Sequence, residues 1–361
     1  MLKSDARTAD LFQDTLPALR PASPAEATGF EIGWDHAHYR LTPPAPALSG
    51  HPEVRQGWQA GSAVFGARCL KPTSAVRAWL ALRLQAWQSG LAFESVQVTP
   101  HLLAQLAATV CPITRCALTH ARGAGSDAVV ERVCAQAGYA AGNLAMFSER
   151  VRQAKAGLGV AEALAHARRL EHSGLDTLDG LDAAQWQRLA VLVSFVTPLP
   201  HAEAARLPLA VLPPNRLRLL NPAQALQAVL TLAFGAAQTL PALRALIGQV
   251  PVAARHDYQV FVLTLQARRL AIGLRLGSHD DALDLRHALE DLWDDAAVNR
   301  RWQRFAFQLD EAACERMLRA AARRGLGGKG WQWLPHGAAT DGWALASGGR
   351  SGPKPAWAAI D

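Results

Sequence analysis

The chain has 361 residues, half of them hydrophobic and 19% charged, and its 37 Lys and Arg against 30 Asp and Glu leave a formal charge of +7. That length allows two or three compact regions with substantial cores, and the composition excludes a disordered chain. The five cysteines, Cys69, Cys111, Cys116, Cys134 and Cys314, are too scattered for a disulfide framework and fit a reducing compartment.

A sequence pI near 9.5 permits a polyanionic partner without requiring one. The opening stretch MLKSDARTADLFQDTLPALRP lacks the apolar core of a signal peptide, and no apolar run reaches the ~18 residues that a bilayer span needs. The expectation is a cytoplasmic protein with no membrane association.

In chain order, proline-spotted residues 1–29 read as an irregular arm. Residues 30–110 read as a mixed loop and strand segment followed by a helical pair. Within it, Phe30 to Cys69 is broken by Pro and Gly into short runs, which predicts loops or brief strands. The string WDHAHYR sets Asp35, His36 and His38 close together; on a strand the two histidines share a face, as metal ligands often do, but His-x-His is also a common unspecific string. Val76, Trp79, Leu80, Leu82, Leu84 and Trp87 then fall largely on one side of a helix capped by Ser74. A second helix starts with Thr99 as N-cap and Pro100 at its first position.

Residues 111–158 form a separate cassette, considered below. Beyond it, apolar periodicity predicts helices over 160–172, 182–196, 222–236, 241–249, 255–276, 279–297 and 310–324, a helical domain over 159–324. Ser278, Asp280 and Asp281 read as an N-cap cluster for the sixth of these, with His287 and Asp291 one turn apart on it. The Gly/Ala/Trp-rich residues 325–361 read as a flexible tail, with a Trp docking on the body. The fold class is therefore mainly α, a helical body carrying one small ββα element.

Basic residues gather in two places. The cassette helix supplies Arg150, Arg152 and Lys155, with Arg168 and Arg169 soon after; the other group is Arg300, Arg301, Arg304, Arg316, Arg319, Arg323, Arg324 and Lys329. Trp302 and Phe305, interleaved with the second group, either stack on bases or pack in the core. In the cassette, Cys111 and Cys116 admit two readings as well: part of a zinc knuckle, with Cys134, His120 and His101 near in sequence, or two small thiols packing a turn.

The cassette carries CPIT at Cys111 to Thr114, AVVERV at Ala128 to Val133, GYAAGNL at Gly138 to Leu144, then Ser148 and Lys155. This order resembles the ββα core of HNH-type, His-Me finger endonucleases, over residues 111–155 only. The resemblance implies phosphodiester hydrolysis with one divalent cation such as Mg²⁺, held by a strand residue and a helix residue, with a loop Asn orienting base or strand. By position Glu131 replaces the strand Asp, Arg132 stands where a base His would fall, Asn143 is the loop Asn, and Arg152 replaces the helix Asn or His. Arginine cannot ligate a cation or accept a proton at neutral pH. The expectation is a degenerate element with weak or absent cleavage in a DNA-binding protein of a mobile-element, phage or defence system, using Arg150, Arg152, Lys155, Arg319, Arg323 and Arg324. A hairpin followed by a helix beginning near Asn143, with Tyr139 in the connecting loop, is the predicted geometry. The alternative is a non-enzymatic helical scaffold or adaptor that binds protein through apolar helix faces; a metal hydrolase using His36, His38 and the acidic helix is a more distant third.

Overall fold

Ser23 and Glu26 cap each other's backbone N–H groups, and Pro24 sits at the first helical position, so a helix begins here and not beyond residue 29. In the computed structural model, which describes residues 23–236, 239–273, 282–327 and 330–333, the chain divides into two compact units, Met1–Gly90 and Leu91–Asp361. The first holds α1 (Pro24–His38), α2 (Ala45–Gly50), α3 (Pro52–Phe65) and α4 (Ser74–Gln88). The loops and brief strands expected over residues 30–69 are thus largely helix. The glycines that suggested breaks are crossing points. A Cβ at Gly33 would fall on the Val54 carbonyl, one at Gly57 on the Phe30 carbonyl, and one at Gly61 only 2.8 Å from the Ala37 Cβ. Two Gly-x-x-x-Gly faces let the backbones of α1 and α3 touch, a packing gain that outweighs the poor helix propensity of glycine. Arg83 of α4 reaches Glu31 and Asp35 on α1.

Asp35, His36 and His38 therefore lie on a helix, where residues two apart do not share a face. His36 is buried with Nδ1 2.7 Å from the Ile32 carbonyl, and His38 stacks on Phe65 at 4.4 Å. Both rings are taken up by packing. The N-cap of α4 is Thr73, not Ser74, since the Thr73 hydroxyl accepts from Val76 N.

The second unit begins with α5 (Pro100–Gln105), capped by Thr99 as its sequence predicts. Strands β1 (Ala128–Arg132) and β2 (Leu144–Ser148) pair antiparallel, with Glu131 opposite Ala145 and Arg132 opposite Leu144, and α6 (Glu149–Lys155) follows directly. Helices α7 (Val160–Ser173), α8 (Ala183–Phe195), α9 (His201–Arg206), α10 (Pro222–Ala233), α11 (Leu240–Ala245) and α12 (Arg255–Ala271) continue the chain, with the two-residue β3 (Arg218–Leu219) between α9 and α10. Then come α13 (Ala282–Asp291), α14 (Ala296–Ala306), α15 (Glu311–Arg323) and β4 (Gln332–Trp333), which pairs parallel with β3. The single helix expected over 279–297 is interrupted because Asp295 accepts from the Ala297 and Val298 amides and starts α14 afresh. Ser278, Asp280, Asp281, Lys329, residues 1–22 and most of the tail lie outside the described residues.

One core runs through this unit. Cys111, Ile113, Val133, Ala145, Phe147 and Val151 of the cassette pack in the same cluster as Trp186 and Leu189 of α8 and the aromatic group Tyr258, Phe261, Trp293, Trp302 and Phe305. Residues 111–158 share this core with the helices that follow and do not stand as a separate body.

Candidate functional site

The cassette opens with a tight turn. Cys111 N donates to the Cys116 carbonyl at 3.0 Å, and Arg115 takes a left-handed φ of 56° to make the reversal. Cys111 is buried in the core and Cys116 is exposed, and among the described residues no group of three or more His, Cys, Asp and Glu could hold a metal ion. Further on, Asp127 Oδ2 accepts from the Arg122, Gly123 and Ala124 amides and Oδ1 from the Thr119 hydroxyl at 2.7 Å. The Thr119 hydrogen bond is the largest of the effects holding the Asp127 carboxyl below its usual pKa. Asp127 thereby fixes the entry to β1.

Between the strands, Asn143 is fully buried and wholly engaged. Its Oδ1 accepts from Cys134 N at 2.8 Å, while Nδ2 donates to the Cys134 and Gly138 carbonyls, both at 3.0 Å. Its own carbonyl accepts from Val133 N at 2.7 Å. The side chain closes the loop of residues 133–143 on itself and has no group left for a substrate. Helix α6 begins at Glu149, after β2, so the helix expected near Asn143 starts six positions later (149 − 143 = 6). Tyr139 sits in the loop as expected, its N–H on the Ala92 carbonyl at 2.8 Å and its carbonyl on Glu94 N at 2.9 Å. Glu94 Oε2 accepts from Ala141 N at 2.9 Å, and the stem of Arg218 lies where a Cβ on Gly142, at φ 94°, would have to go. Nothing near these residues in sequence announces Glu94 or Arg218, because both reach the loop from distant segments.

Around Glu131 the charge is mostly positive. Glu131 Oε1 accepts from Arg132 N at 2.8 Å and lies 3.5 Å from Arg132 Nε. The Arg132 guanidinium donates to the Ala135 and Ala137 carbonyls at 2.7 and 3.0 Å and covers the Tyr139 ring at 4.8 Å. It serves as a loop brace. Lys155 is only 1% exposed; burial pushes its pKa down, and the Glu131 carboxylate pulls it back up. Arg152 is held by a two-point contact with Glu149, with Nε to Oε2 at 2.8 Å, and this pair raises its pKa first, with the charge of Glu131 adding to the effect. Burial, then the negative charge of Glu131, raises the Tyr139 phenol.

This donor set does not fit a divalent cation. One carboxylate already accepts from a backbone amide, and Arg132, Arg152 and Lys155 surround it with positive charge.

Among the other basic candidates, Arg150, Arg168, Arg169, Arg300, Arg304, Arg316, Arg319, Arg323 and Arg324 are exposed. Arg319 pairs with Glu315 at 3.3 Å, and Arg324 donates to the Ala320 carbonyl at 3.1 Å. Trp302 and Phe305 are not available to bases: Trp302 is 1% exposed, its indole N–H donates to the Ala205 carbonyl at 2.9 Å, and both rings lie in the aromatic core. An ionic cluster that the sequence did not single out joins the Cys111–Cys116 turn to α13. Arg115 meets Glu290 at 3.0 Å and Asp291 at 2.6 Å, and Glu290, 2% exposed, also accepts from Leu212 N at 2.8 Å and Arg286 Nε at 3.2 Å. The pairing of Asp291 is thus with Arg115. The chain matches no family model, no curated protein and no solved structure.

Proposed function

We propose that the chain is a DNA-binding protein in which the hairpin and helix of residues 111–155 act as a binding element without strand cleavage. The observation that carries this reading is the replacement of ligand chemistry by cations. Where the resemblance to HNH nucleases implies metal ligands and a base, Arg152 and Arg132 stand, with Lys155 behind them; of the carboxylates here, Glu149 is taken up by Arg152 and Glu131 lies against Arg132. Asn143 and Arg132 support the loop. The exposed arginines of α6 and α15 supply phosphate contacts, so affinity for duplex DNA falls as salt rises. Each lost contact lowers the slope of log K against log salt by about 0.9.

The test is anisotropy titration of duplex DNA over a range of salt, with wild type and with the Arg319→Ala, Arg323→Ala, Arg324→Ala triple variant, beside a plasmid-nicking assay with Mg²⁺ or Mn²⁺. Salt-sensitive binding that flattens in the triple variant, with no nicking, is the expected result. Nicking that is abolished by Glu131→Ala would establish a nuclease and refute the non-cleaving part. Absence of duplex binding at low salt would favour the second reading, a scaffold that binds protein through apolar helix faces. One observation supports that reading: Leu263 and Leu270, two turns apart on α12, are 61% and 63% exposed.

A further inference from the structure

Beside the hairpin lies a cavity of about 310 Å³, within the size range of small-molecule sites. Its walls come from four places far apart in sequence. The segment after α5 contributes Leu106, Thr109 and Pro112, β2 contributes Met146, and the turn before β3 contributes Pro214 and Asn215. Helix α13 closes the remaining side with Leu283, Arg286, His287 and Glu290. The Met146 sulfur accepts from Ala108 N at 3.4 Å, which ties the first wall to the hairpin.

The polar groups are set at fixed positions against apolar faces. Arg286 donates through Nη2 to the Leu212 carbonyl at 2.6 Å and through Nε to Glu290, so its guanidinium plane is locked at the cavity edge. Burial, and then the positive charge of Arg115, lowers the pKa of His287, which leaves the ring neutral at pH 7 with one donor and one acceptor nitrogen. Thr109 and Asn215 are exposed at the rim with donor and acceptor atoms of their own. Charge here is already balanced: Arg286 and Arg115 both meet Glu290, and Arg115 also meets Asp291. A charged ligand would bring an uncompensated ion into this site, whereas a neutral one would not. A sugar or alcohol would waste the Leu, Pro and Met faces, and a hydrocarbon would leave the polar rim unpaired. A flat, neutral ring with apolar faces and hydrogen-bonding edges satisfies both.

We propose that this cavity binds a single nucleobase-like heterocycle, with Pro112, Pro214 and Met146 against its faces and Arg286, His287 and Asn215 at its edge. The ring comes from a free nucleoside or from an unstacked base of a nucleic-acid strand. Only the second source rests on the DNA-binding reading above.

The experiment titrates the full chain calorimetrically with adenosine, guanosine, cytidine and thymidine, then with a single-stranded oligonucleotide and its abasic counterpart. At least one nucleoside is expected to bind saturably at millimolar concentration or below. Leu283→Trp, at a position 42% exposed at the cavity wall, should fill the space and weaken that binding tenfold or more while Tm and duplex binding stay as in wild type. Asn215→Ala, which removes an exposed side chain, should weaken it about fivefold, the loss of one hydrogen bond, and decides the matter if the Trp variant does not fold. Oligonucleotide affinity that drops on abasic replacement, with competition by the nucleoside, assigns the strand as source; nucleoside binding without competition assigns the free ligand. No saturable binding of any nucleoside, or binding unchanged in a folded Leu283→Trp or Asn215→Ala protein, overturns the proposal. Salt-sensitive duplex binding is read separately, so the DNA reading and the cavity can fail independently.

Discussion

Replacing Asn143 by Ala removes three hydrogen bonds at 2.8, 3.0 and 3.0 Å in one step, two of them buried. Each is worth about 1 kcal/mol net, and the Cys134 amide, left buried without its acceptor, adds a desolvation cost of about 1–3 kcal/mol. The expected loss is therefore about 4–6 kcal/mol, well above the ~1 kcal/mol typical of single substitutions and a large share of the ~5–15 kcal/mol that holds an ordinary domain folded. Asn143→Asp should be nearly as damaging, because it keeps the acceptor but sets a second oxygen against the Cys134 and Gly138 carbonyls. Urea unfolding followed by circular dichroism gives the magnitude, and hydrogen exchange at Cys134 N locates it. A loss below about 1 kcal/mol, or a Cys134 amide as well protected in the Ala variant as in wild type, would refute a loop-closing role and return Asn143 to the list of residues free to touch a substrate.

In the first unit, Gly33→Ala should cost at least about 2 kcal/mol by urea unfolding, since its methyl group meets the rigid Val54 carbonyl and α1 and α3 must separate; a neutral result would mean the crossing is looser than described. Trp302→Ala should cost about 3–5 kcal/mol and leave the salt dependence of DNA binding intact in whatever fraction remains folded, as befits a core residue; selective loss of DNA affinity with full stability would restore the base-stacking reading. Asp127 has a folded pKa below its ordinary value, so its contribution is complete above about pH 4 and fades as pH falls through the lowered folded value. Asp127→Asn should therefore narrow the difference in Tm between neutral and strongly acid buffer, and an unchanged difference would count against the three-amide cradle.

Local signals were readable where they compete with nothing distant. Thr99 with Pro100 marked the start of α5, apolar periodicity marked α7, α8, α10, α12 and α15, and Gly138 and Tyr139 marked the loop between the strands. The failures share a cause. Gly33, Gly57 and Gly61 look like helix breakers until the facing helix is present, and then each lets the other backbone in, while Gly29 makes room for the Glu53 and Trp87 side chains. Trp302 and Phe305 among arginines look like a stacking surface, yet the 3.6-residue period turns the rings inward and Arg300 and Arg304 outward. At the candidate site, the loop position of Asn143 and the cationic character around Glu131 were legible from residue type. The commitment of Arg132 to the Ala135 and Ala137 carbonyls was not, because it depends on the path the loop takes after Val133.

The tie between Arg115 and Glu290 joins residues 175 positions apart. At a synthesis rate of about 5–20 residues per second, α13 leaves the ribosome on the order of ten to thirty seconds after the Cys111–Cys116 turn does. The hairpin can pair through its own short loop in that interval, while Arg115 waits for its acid partner. A nascent chain would thus carry a formed hairpin whose entry turn can pack on α8 but still lacks its acid partner, and pulse-labelling of stalled chains should find the amides of 111–118 gaining a further step of protection when α13 has emerged.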